Sequence, residues 1–139
     1  MPRIELGPWN TAQREAQRIR FAVFVEEQRV PAELEMDEMD ALCLHALAFH
    51  ENLAVGTGRL LPDGHIGRMA VMKPWRGRGV GAALLGRLVE AARQRGDAEV
   101  QLSAQVHALG FYRAHGFVPY GEIYEEAGIP HQAMRLSLR

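Results

Sequence analysis

The longest helical pattern in the chain runs from residue 82 to residue 95. Apolar side chains recur at helical spacing just before and along this segment, in one stripe: Val80, Leu84, Leu85, Leu88, Val89 and Ala92. No proline interrupts the segment. The pattern therefore predicts a helix with one buried face.

Shorter apolar segments predict strands on both sides of this helix. We expect strands at residues 4–6, 45–50, 53–61, 65–71 and 99–103, and a closing pair at 117–120 and 131–138 around a loop at 121–130. A first helix is expected to begin at an N-cap on Thr11 or Asn10, to run toward Glu27 and to be ended by Pro31. Another helix is expected at 105–115.

These elements predict one domain spanning residues 1–139. The early strands are antiparallel neighbours, whereas the crossover through residues 78–95 leaves the strands on either side of it parallel. The fold class is therefore α/β, with a mixed, mostly antiparallel central sheet flanked by helices. A chain of 139 residues is long enough for one core, and no linker or repeat divides it.

A glycine-rich turn precedes the predicted central helix. Gly77, Gly79 and Gly81 lie where the first backbone N–H groups of a helix have no internal partner, and no side chain there keeps an anion away. The helix dipole adds a partial positive charge at this end. Residues 68–95 carry seven basic side chains against the single acid Glu90, a local charge of +6: Arg68, Lys73, Arg76, Arg78, Arg87, Arg93 and Arg95. This turn is suited to a pyrophosphate.

Spacing separates three kinds of phosphate loop. A Walker loop needs Gly-Lys-Ser/Thr, which is missing here. Gly77, Gly79 and Ala82 match a dinucleotide fingerprint, with Asp97 twenty residues after Gly77, but five residues separate the strand from these glycines. The run Arg76-x-x-Gly79-x-Gly81, after an Arg-Met-Ala-Val strand, resembles the acetyl-CoA pyrophosphate loop of the GCN5-related N-acetyltransferases, the GNAT family.

A second motif supports this resemblance. The family shows Asn-x-x-Ala-x-x-x-Tyr followed shortly by Gly-Phe, and this chain has Gln105, Ala108 and Tyr112, then Gly116-Phe117. The one departure is glutamine for asparagine. The run Val23–Gln28, the acids at 35, 37 and 40, and Gly128-Ile129-Pro130-His131 further resemble the ElaA/YjcF-like subgroup.

The resemblance implies an enzyme that moves an acetyl group from acetyl-CoA to a primary amine by direct attack. It implies that the N–H near Val71, at a bulged strand end, stabilises the oxyanion, and that Tyr112 protonates the leaving thiolate. The implied contacts to acetyl-CoA are Met69, Ala70, Val71, Arg76, Gly77, Arg78, Gly79, Val80, Gly81, Ala82, Gln105, Ala108 and Tyr112. A homodimer is common in the family.

The general base stays open at this point. Several side chains, or a water chain to one of them, are compatible with the role: Glu26, Glu27, Asp37, Asp40, His107 and His131. Histidine titrates closest to neutral pH. Residues 26–40 carry seven acids and one base, a local charge of −6, which suits either attraction of a cationic amine or a solvated charged loop.

Composition excludes several classes of protein. A net charge of −1 gives no overall attraction to nucleic acid, and no apolar run approaches the ~20 residues of a membrane span. We expect a cytoplasmic protein with a small-molecule amine or a protein amino group as acceptor. Cys43 is the only cysteine and the six histidines lack metal-ligand spacing, so no metal is expected. Two alternatives are an acyl-CoA binding or sensing module without catalysis, and a nicotinamide dinucleotide enzyme.

Overall fold

The computed structural model of the chain describes residues 2–139. In chain order its helices are α1 (Trp9–Arg20), α2 (Ala32–Glu35), α3 (Val80–Gln94) and α4 (Leu109–Ala114). Its strands are β1 (Arg3–Gly7), β2 (Leu44–His50), β3 (Leu53–Leu60), β4 (Ile66–Val71), β5 (Glu99–Gln105), β6 (Val118–Glu126) and β7 (Ile129–Ser137). A π-helical segment, Phe21–Glu27, continues α1, and short 3₁₀ turns occur at Glu38–Leu42, Lys73–Trp75 and Val106–Ala108.

The strands form two antiparallel sheets. The first has the order β1-β2-β3-β4 and the second the order β5-β7-β6. A parallel bridge between His65 and Gln101 joins them, and the Gln101 N–H donates to the Gly64 carbonyl at 3.1 Å. The α/β class and the antiparallel pairing are confirmed. The expected single mixed sheet is instead two sheets that meet at one end of the β4–β5 pair.

Helix α3 covers one face of both sheets. Its buried stripe, including Leu84 and Leu88, packs with Val100, Leu102 and Met134 of the second sheet. The first sheet makes room for this helix with glycine, since a Cβ on Gly56 would lie 2.9 Å from Leu84 Cδ1. Helix α1 covers the opposite face of the first sheet, where Ile19 and Val23 pack against Ala54 and Ala70.

Some predicted boundaries were wrong, each for a local reason. The N-cap of α1 is Pro8 rather than Thr11 or Asn10, and the Thr11 hydroxyl instead donates back to the Pro8 carbonyl at 2.9 Å. Pro31 does not end α1 but caps α2, because the first helix has already ended after its π-helical segment.

The expected loop at 121–130 is a hairpin. Strands β6 and β7 extend into it and turn at Ala127-Gly128, both with positive φ. The part of β6 nearest the turn carries Glu122, Glu125 and Glu126, and its apolar residues Ile123 and Tyr124 are adjacent, so the sequence lacks the apolar alternation that identifies a half-buried strand. The expected helix at 105–115 is also shorter, because residue 105 ends β5 and α4 begins only at Leu109.

Candidate active site

The site lies where β4 and β5 separate. The two strands are bridged only near His65 and Gln101, and no other backbone pairing between them occurs in residues 2–139. Because they run parallel from this bridge, their carboxyl ends at Val71 and Gln105 lie on the two sides of an opening between the sheets. We refer to this opening as the cleft.

The edge of β4 that faces the cleft carries an unpaired backbone donor. The Met72 N–H donates to the Val55 carbonyl at 2.8 Å, so the neighbouring pair of Val71 and Gly56 is a non-hydrogen-bonded pair. The Val71 N–H therefore points away from β3 and into the cleft. The resemblance to the GNAT family implies an oxyanion donor near this residue, and the direction of the N–H suits that role.

The bulge in β4 lies upstream of its expected position. Arg68 and Met69 together face Gly58, because the register of β3 with β4 shifts between Thr57 and Arg59. Arg68 takes a positive φ of 49° there. Beyond the bulge, Met69 and Val71 face α3 and Ala70 faces α1, so these predicted contact residues can offer backbone groups along one strand edge.

The amino end of α3 has free amides. Gly77 and Gly79 have φ values of 75° and 83°, and no atom lies within 4 Å of a Cβ built on either glycine. The first helical N–H that finds a backbone carbonyl there is that of Ala83, bonded to Gly79 O. Within the described chain, the N–H groups of residues 77–82 have no backbone acceptor. This leaves a consecutive set of donors in open space, the arrangement that binds a phosphate.

Side chains around this turn take different positions. Val80 is buried under the sheet and offers only its backbone. A Cβ on Gly81 would lie 3.4 Å from Phe111 of α4 and 3.9 Å from Val71, so Gly81 lets α3 approach both. Arg78 lies over the Trp75 ring at 5.2 Å.

Arg76 is held by an ion pair. Its terminal nitrogens donate to the two carboxylate oxygens of Glu27 at 2.6 and 2.7 Å, and its Nε donates to the Val71 carbonyl at 2.9 Å. The hydrogen bonds from Arg76 lower the pKa of Glu27. Glu27 is thus a weak base with both oxygens occupied, and the charge of Arg76 is balanced before any phosphate arrives.

Tyr112 lies on the α3 side of the second sheet. Its ring packs edge-on against Phe111 and Phe117, with centroids 5.1 and 5.9 Å away. Burial raises the pKa of Tyr112 to about 12, so the phenol keeps its proton at every physiological pH. No side chain or backbone group in residues 2–139 makes a hydrogen bond to its hydroxyl, which leaves that group able to donate to a ligand.

Gln105 lies on the opposite face from Tyr112. Its side-chain nitrogen donates to Gln28 Oε1 at 2.9 Å, and its oxygen accepts from His107 Nε2 at 2.6 Å. Gln28 directly follows the π-helical segment, so this contact joins the end of that segment to the end of β5. The sequence motif that includes Gln105, Ala108 and Tyr112 therefore spans a strand end, a 3₁₀ turn and a helix.

Most carboxylates of the acidic segment, residues 26–40, form ion pairs with arginines that hold the fold together. Arg20, 1% exposed, bonds Glu35 and both oxygens of Asp40; Asp40 is 2% exposed. Three other contacts complete the group: Arg59 to Asp37 at 2.7 and 2.8 Å, Arg59 to Asp40 at 2.9 Å, and Arg68 to Asp37 at 3.2 Å. Four of the seven acids of the segment thus face arginines, which leaves less charge to attract a cationic amine, and attraction by this segment stays a prediction. Asp37 and Asp40 are likewise poor candidate bases.

Sequence reasoning missed the arginines of this network. Their signal was present, since Arg20 falls in the apolar stripe of the first helix and Arg59 in an apolar strand. A charge at an inward position requires a counter-ion, and the nearby acidic segment supplies it. Arg59 Nε is the one buried side-chain polar atom without a partner among the described residues.

The described residues also limit other chemistry. Cys43 is buried, and burial raises the pKa of its thiol, so it is a poor nucleophile. Within residues 2–139 no group of three His, Cys, Asp or Glu side chains could hold a metal ion. Of the helices in that range, none has the length and hydropathy to cross a membrane.

Comparisons with known proteins agree with this geometry. The family profile of the acetyltransferase (GNAT) domain matches residues 10–138. YyaT of Bacillus subtilis is 40% identical over 126 residues, which cover 86% of this chain and 85% of the relative. The uncharacterised N-acetyltransferase YjcF of the same organism is 38% identical over 125 residues, 87% of this chain and 89% of YjcF.

A solved structure extends the likeness to the whole chain. The crystal structure of Escherichia coli ElaA superposes with a TM-score of 0.87 at 31% identity and covers 99% of this chain and 100% of ElaA. The profile match, the sequence relatives and this structure all lead to one assignment. The chain belongs to the GNAT family and is an acyltransferase of the group that includes ElaA and YjcF.

Proposed function

We propose that this protein transfers an acetyl group from acetyl-CoA to a primary amine by direct attack of the amine on the thioester. The observation that carries the proposal is the set of unpaired amides at residues 77–82, beside the free N–H of Val71. Phosphate oxygens and the thioester oxygen all accept hydrogen bonds. The amides of residues 77–82 at the start of α3 can donate to the phosphate, and the N–H of Val71 at the end of β4 can donate to the thioester. Direct attack needs no nucleophile from the protein, and the single cysteine, Cys43, is buried with a raised thiol pKa and so is poorly suited to that role.

Different backbone segments are proposed to bind different parts of acetyl-CoA. The amides of residues 77–82 hold the pyrophosphate, and the open space at Gly77 and Gly79 admits it. The free edge of β4 at residues 69–71 pairs with the amides of the pantetheine arm, as a strand edge does with an extended ligand. Arg76 serves by fixing the turn to Val71 and Glu27 rather than by direct contact with the phosphate.

Catalysis in this proposal uses two donors. The Val71 N–H stabilises negative charge on the thioester oxygen as the amine adds, and removal of one such donor typically costs 10²–10³ in rate, on the order of 3 kcal/mol. The C–S bond then breaks, and the thiolate takes a proton from Tyr112. A coenzyme A thiol titrates near ~8.5 and the pKa of Tyr112 is raised to about 12, so the phenol first stabilises the charge on sulfur by donating a hydrogen bond. Transfer of its proton to sulfur runs against this pKa difference, and reprotonation of Tyr112 from solvent completes it.

A screen of amines tests the proposal. Purified protein, acetyl-CoA and a thiol-detecting dye are incubated with polyamines, amino sugars, amino acids and peptides with free amino groups, while calorimetry measures acetyl-CoA and NADPH binding. Acetyl-CoA binding with amine-dependent thiol release supports the proposal. Binding without release from any amine makes the protein an acyl-CoA binding module, and NADPH binding without coenzyme A binding makes it a dinucleotide enzyme.

A further inference from the structure

His131 of β7 is a buried histidine with one nitrogen left unoccupied. Its residue is 7% exposed, and its Nδ1 lies 2.7 Å from the Ile129 carbonyl oxygen. A carbonyl only accepts, so Nδ1 carries the hydrogen and the Nε2 of the neutral ring carries a lone pair. This contact fixes the tautomer in which Nε2 can take up a proton.

The free nitrogen is reachable by solvent. His131 Nε2 makes no hydrogen bond to any group in residues 2–139. Among the same residues, Arg59 Nε is the only solvent-inaccessible side-chain polar atom without a partner, so His131 Nε2 has some exposure to solvent. A ring that is nine-tenths buried therefore presents one unpaired acceptor at an opening. The fixed tautomer and this opening leave the Nε2 lone pair available to a molecule that enters from solvent.

His131 lies on the face of the second sheet opposite Tyr112, on the strand next to β5, which lines the cleft. His131 pairs in register with Gln105, the last residue of β5, whose side chain joins the end of the π-helical segment. Residues alternate across a strand: Leu102 and Met134 face α3 and Tyr112, whereas Gln105 and His131 face the other side. A thioester bound between β4 and β5 would have Tyr112 on the α3 side, and an amine approaching from the opposite side would come over the face that carries His131.

Neighbouring groups hold the ring in place. The Tyr124 ring stacks on it, with centroids 6.1 Å apart and an angle of 26°, and the Tyr124 hydroxyl is hydrogen-bonded to Ser103. The titratable and charged groups on this face are Glu99 on β5, His107 just after it, Arg135 on β7, and Tyr120, Tyr124 and Glu126 on β6. Glu27, at the end of the π-helical segment, is engaged by Arg76.

We propose, building on the function above, that His131 is the general base that deprotonates the attacking amine. As the amine nitrogen forms its bond to the thioester carbon, His131 Nε2 takes one proton from that nitrogen, and the Ile129 carbonyl stabilises the resulting imidazolium through Nδ1–H. The C–S bond breaks with its electron pair on sulfur, which takes the Tyr112 proton. Solvent then removes the proton from His131 and restores the one on Tyr112, so the products are the amide and coenzyme A.

Steady-state kinetics test the assignment, with the amine that releases thiol fastest in the screen. His131→Gln is expected to lower kcat about 100-fold, to leave the dissociation constant of acetyl-CoA within twofold, and to abolish the acid limb of the kcat/KM profile. Imidazole in solution is expected to restore part of the activity of His131→Ala. The matched control is His65→Gln, an exposed histidine at the closed end of the two sheets; it is expected to behave as wild type.

The possible outcomes separate the two proposals. A His131→Gln protein with wild-type kcat and an unchanged acid limb overturns the role of His131 and leaves the proposed function standing. A wild-type protein that binds no acetyl-CoA overturns both. The tautomer gives a test that needs no acceptor: nitrogen NMR of the neutral ring, assigned against His131→Gln, is expected to show Nδ1–H and a bare Nε2, and a spectrum with Nε2–H overturns the assignment.

Discussion

Arg76 ties Glu27 to Val71. Its two terminal nitrogens bind the Glu27 carboxylate at 2.6 and 2.7 Å, while its Nε binds the Val71 carbonyl at 2.9 Å. One guanidinium thus connects the end of the π-helical segment, the last residue of β4 and the turn before α3. Because the Val71 carbonyl and N–H belong to the same strand edge, this contact also sets the direction of the proposed oxyanion donor.

The first prediction separates a positioning role for Arg76 from direct phosphate binding. Arg76→Gln is expected to weaken acetyl-CoA binding about tenfold, because the turn loses its anchor and Glu27 is left as an unpaired anion near the phosphate. Glu27→Gln is expected to change the affinity less than threefold, since a neutral amide still accepts from Arg76. Calorimetry at fixed ionic strength measures both, with Arg14→Gln on α1 as an exposed arginine control. Tighter binding by Glu27→Gln would instead identify Arg76 as a phosphate ligand that Glu27 competes for.

The second prediction concerns the proton on Tyr112. Tyr112→Phe removes the hydroxyl and keeps the ring packed against Phe111 and Phe117, so acetyl-CoA affinity is expected to stay within twofold while kcat falls about 100-fold. Because burial raises the pKa of Tyr112 to about 12, loss of its proton is not expected to lower wild-type activity anywhere below pH 10.

Steady-state rates and calorimetry over pH 6–10 check this prediction. Tyr120→Phe provides a matched control, since Tyr120 lies on the other face of the second sheet and bonds Gln101. Equal turnover in Tyr112→Phe and wild type removes Tyr112 from the mechanism. A fall in wild-type kcat near pH 9 that Tyr112→Phe lacks contradicts the raised pKa.

The third prediction uses two glycines with different backbone conformations. Gly79 has a φ of 83° at the start of α3, whereas Gly86 lies inside the helix with no atom within 4 Å of an added Cβ. Gly79→Ala is expected to lose about 1 kcal/mol of unfolding free energy and to weaken acetyl-CoA binding at least tenfold. Gly86→Ala is expected to gain up to about 1 kcal/mol with no change in binding. Urea unfolding and calorimetry measure the pair, and equal binding by both variants would show that the ligand does not use this turn.

The sequence contains most of the information about the half of the site that is proposed to bind phosphate. The apolar stripe of α3 and the glycines at its start are local features, so they predict both the helix and the donors at its end. The same holds for the β2–β3 hairpin, whose apolar runs flank Glu51-Asn52. Each of these elements follows from spacing within a few residues.

The other half depends on contacts between distant segments, and for that reason the sequence left it open. Gln28 and Gln105 are 77 positions apart, and Arg76 and Glu27 are 49 apart, so no local pattern marks either pair. His131 is one of six histidines and one of several candidate bases in the sequence, and its burial and its pairing with Gln105 become known only from the fold. The bulge at Arg68 likewise depends on the pairing with β3 and on the carbonyls of Leu34 and Glu35 that its side chain binds.

The last prediction concerns stability at low pH. Hydrogen bonds from Arg59, with contributions from its charge and that of Arg68, lower the pKa of Asp37 from 3.8 to about 2. A carboxyl whose pKa is depressed in the folded state stabilises that state at pH values above its unfolded pKa, and the contribution is lost as the pH falls from about 4 to 2. At pH 7 Asp37→Asn is therefore expected to lower the unfolding free energy by about 1 kcal/mol, since Asp37 is partly exposed and solvent screens its ion pairs. At pH 3 the difference is expected to be about half as large, because the carboxyl of the unfolded chain is by then protonated while the folded one is still mostly ionised. Urea unfolding at pH 7, 5 and 3 measures this difference, with Glu33→Gln as a control, since Glu33 is exposed and outside the arginine network. A stability difference that stays constant from pH 7 to 3 would mean that Asp37 stabilises the fold through shape and not through its charge.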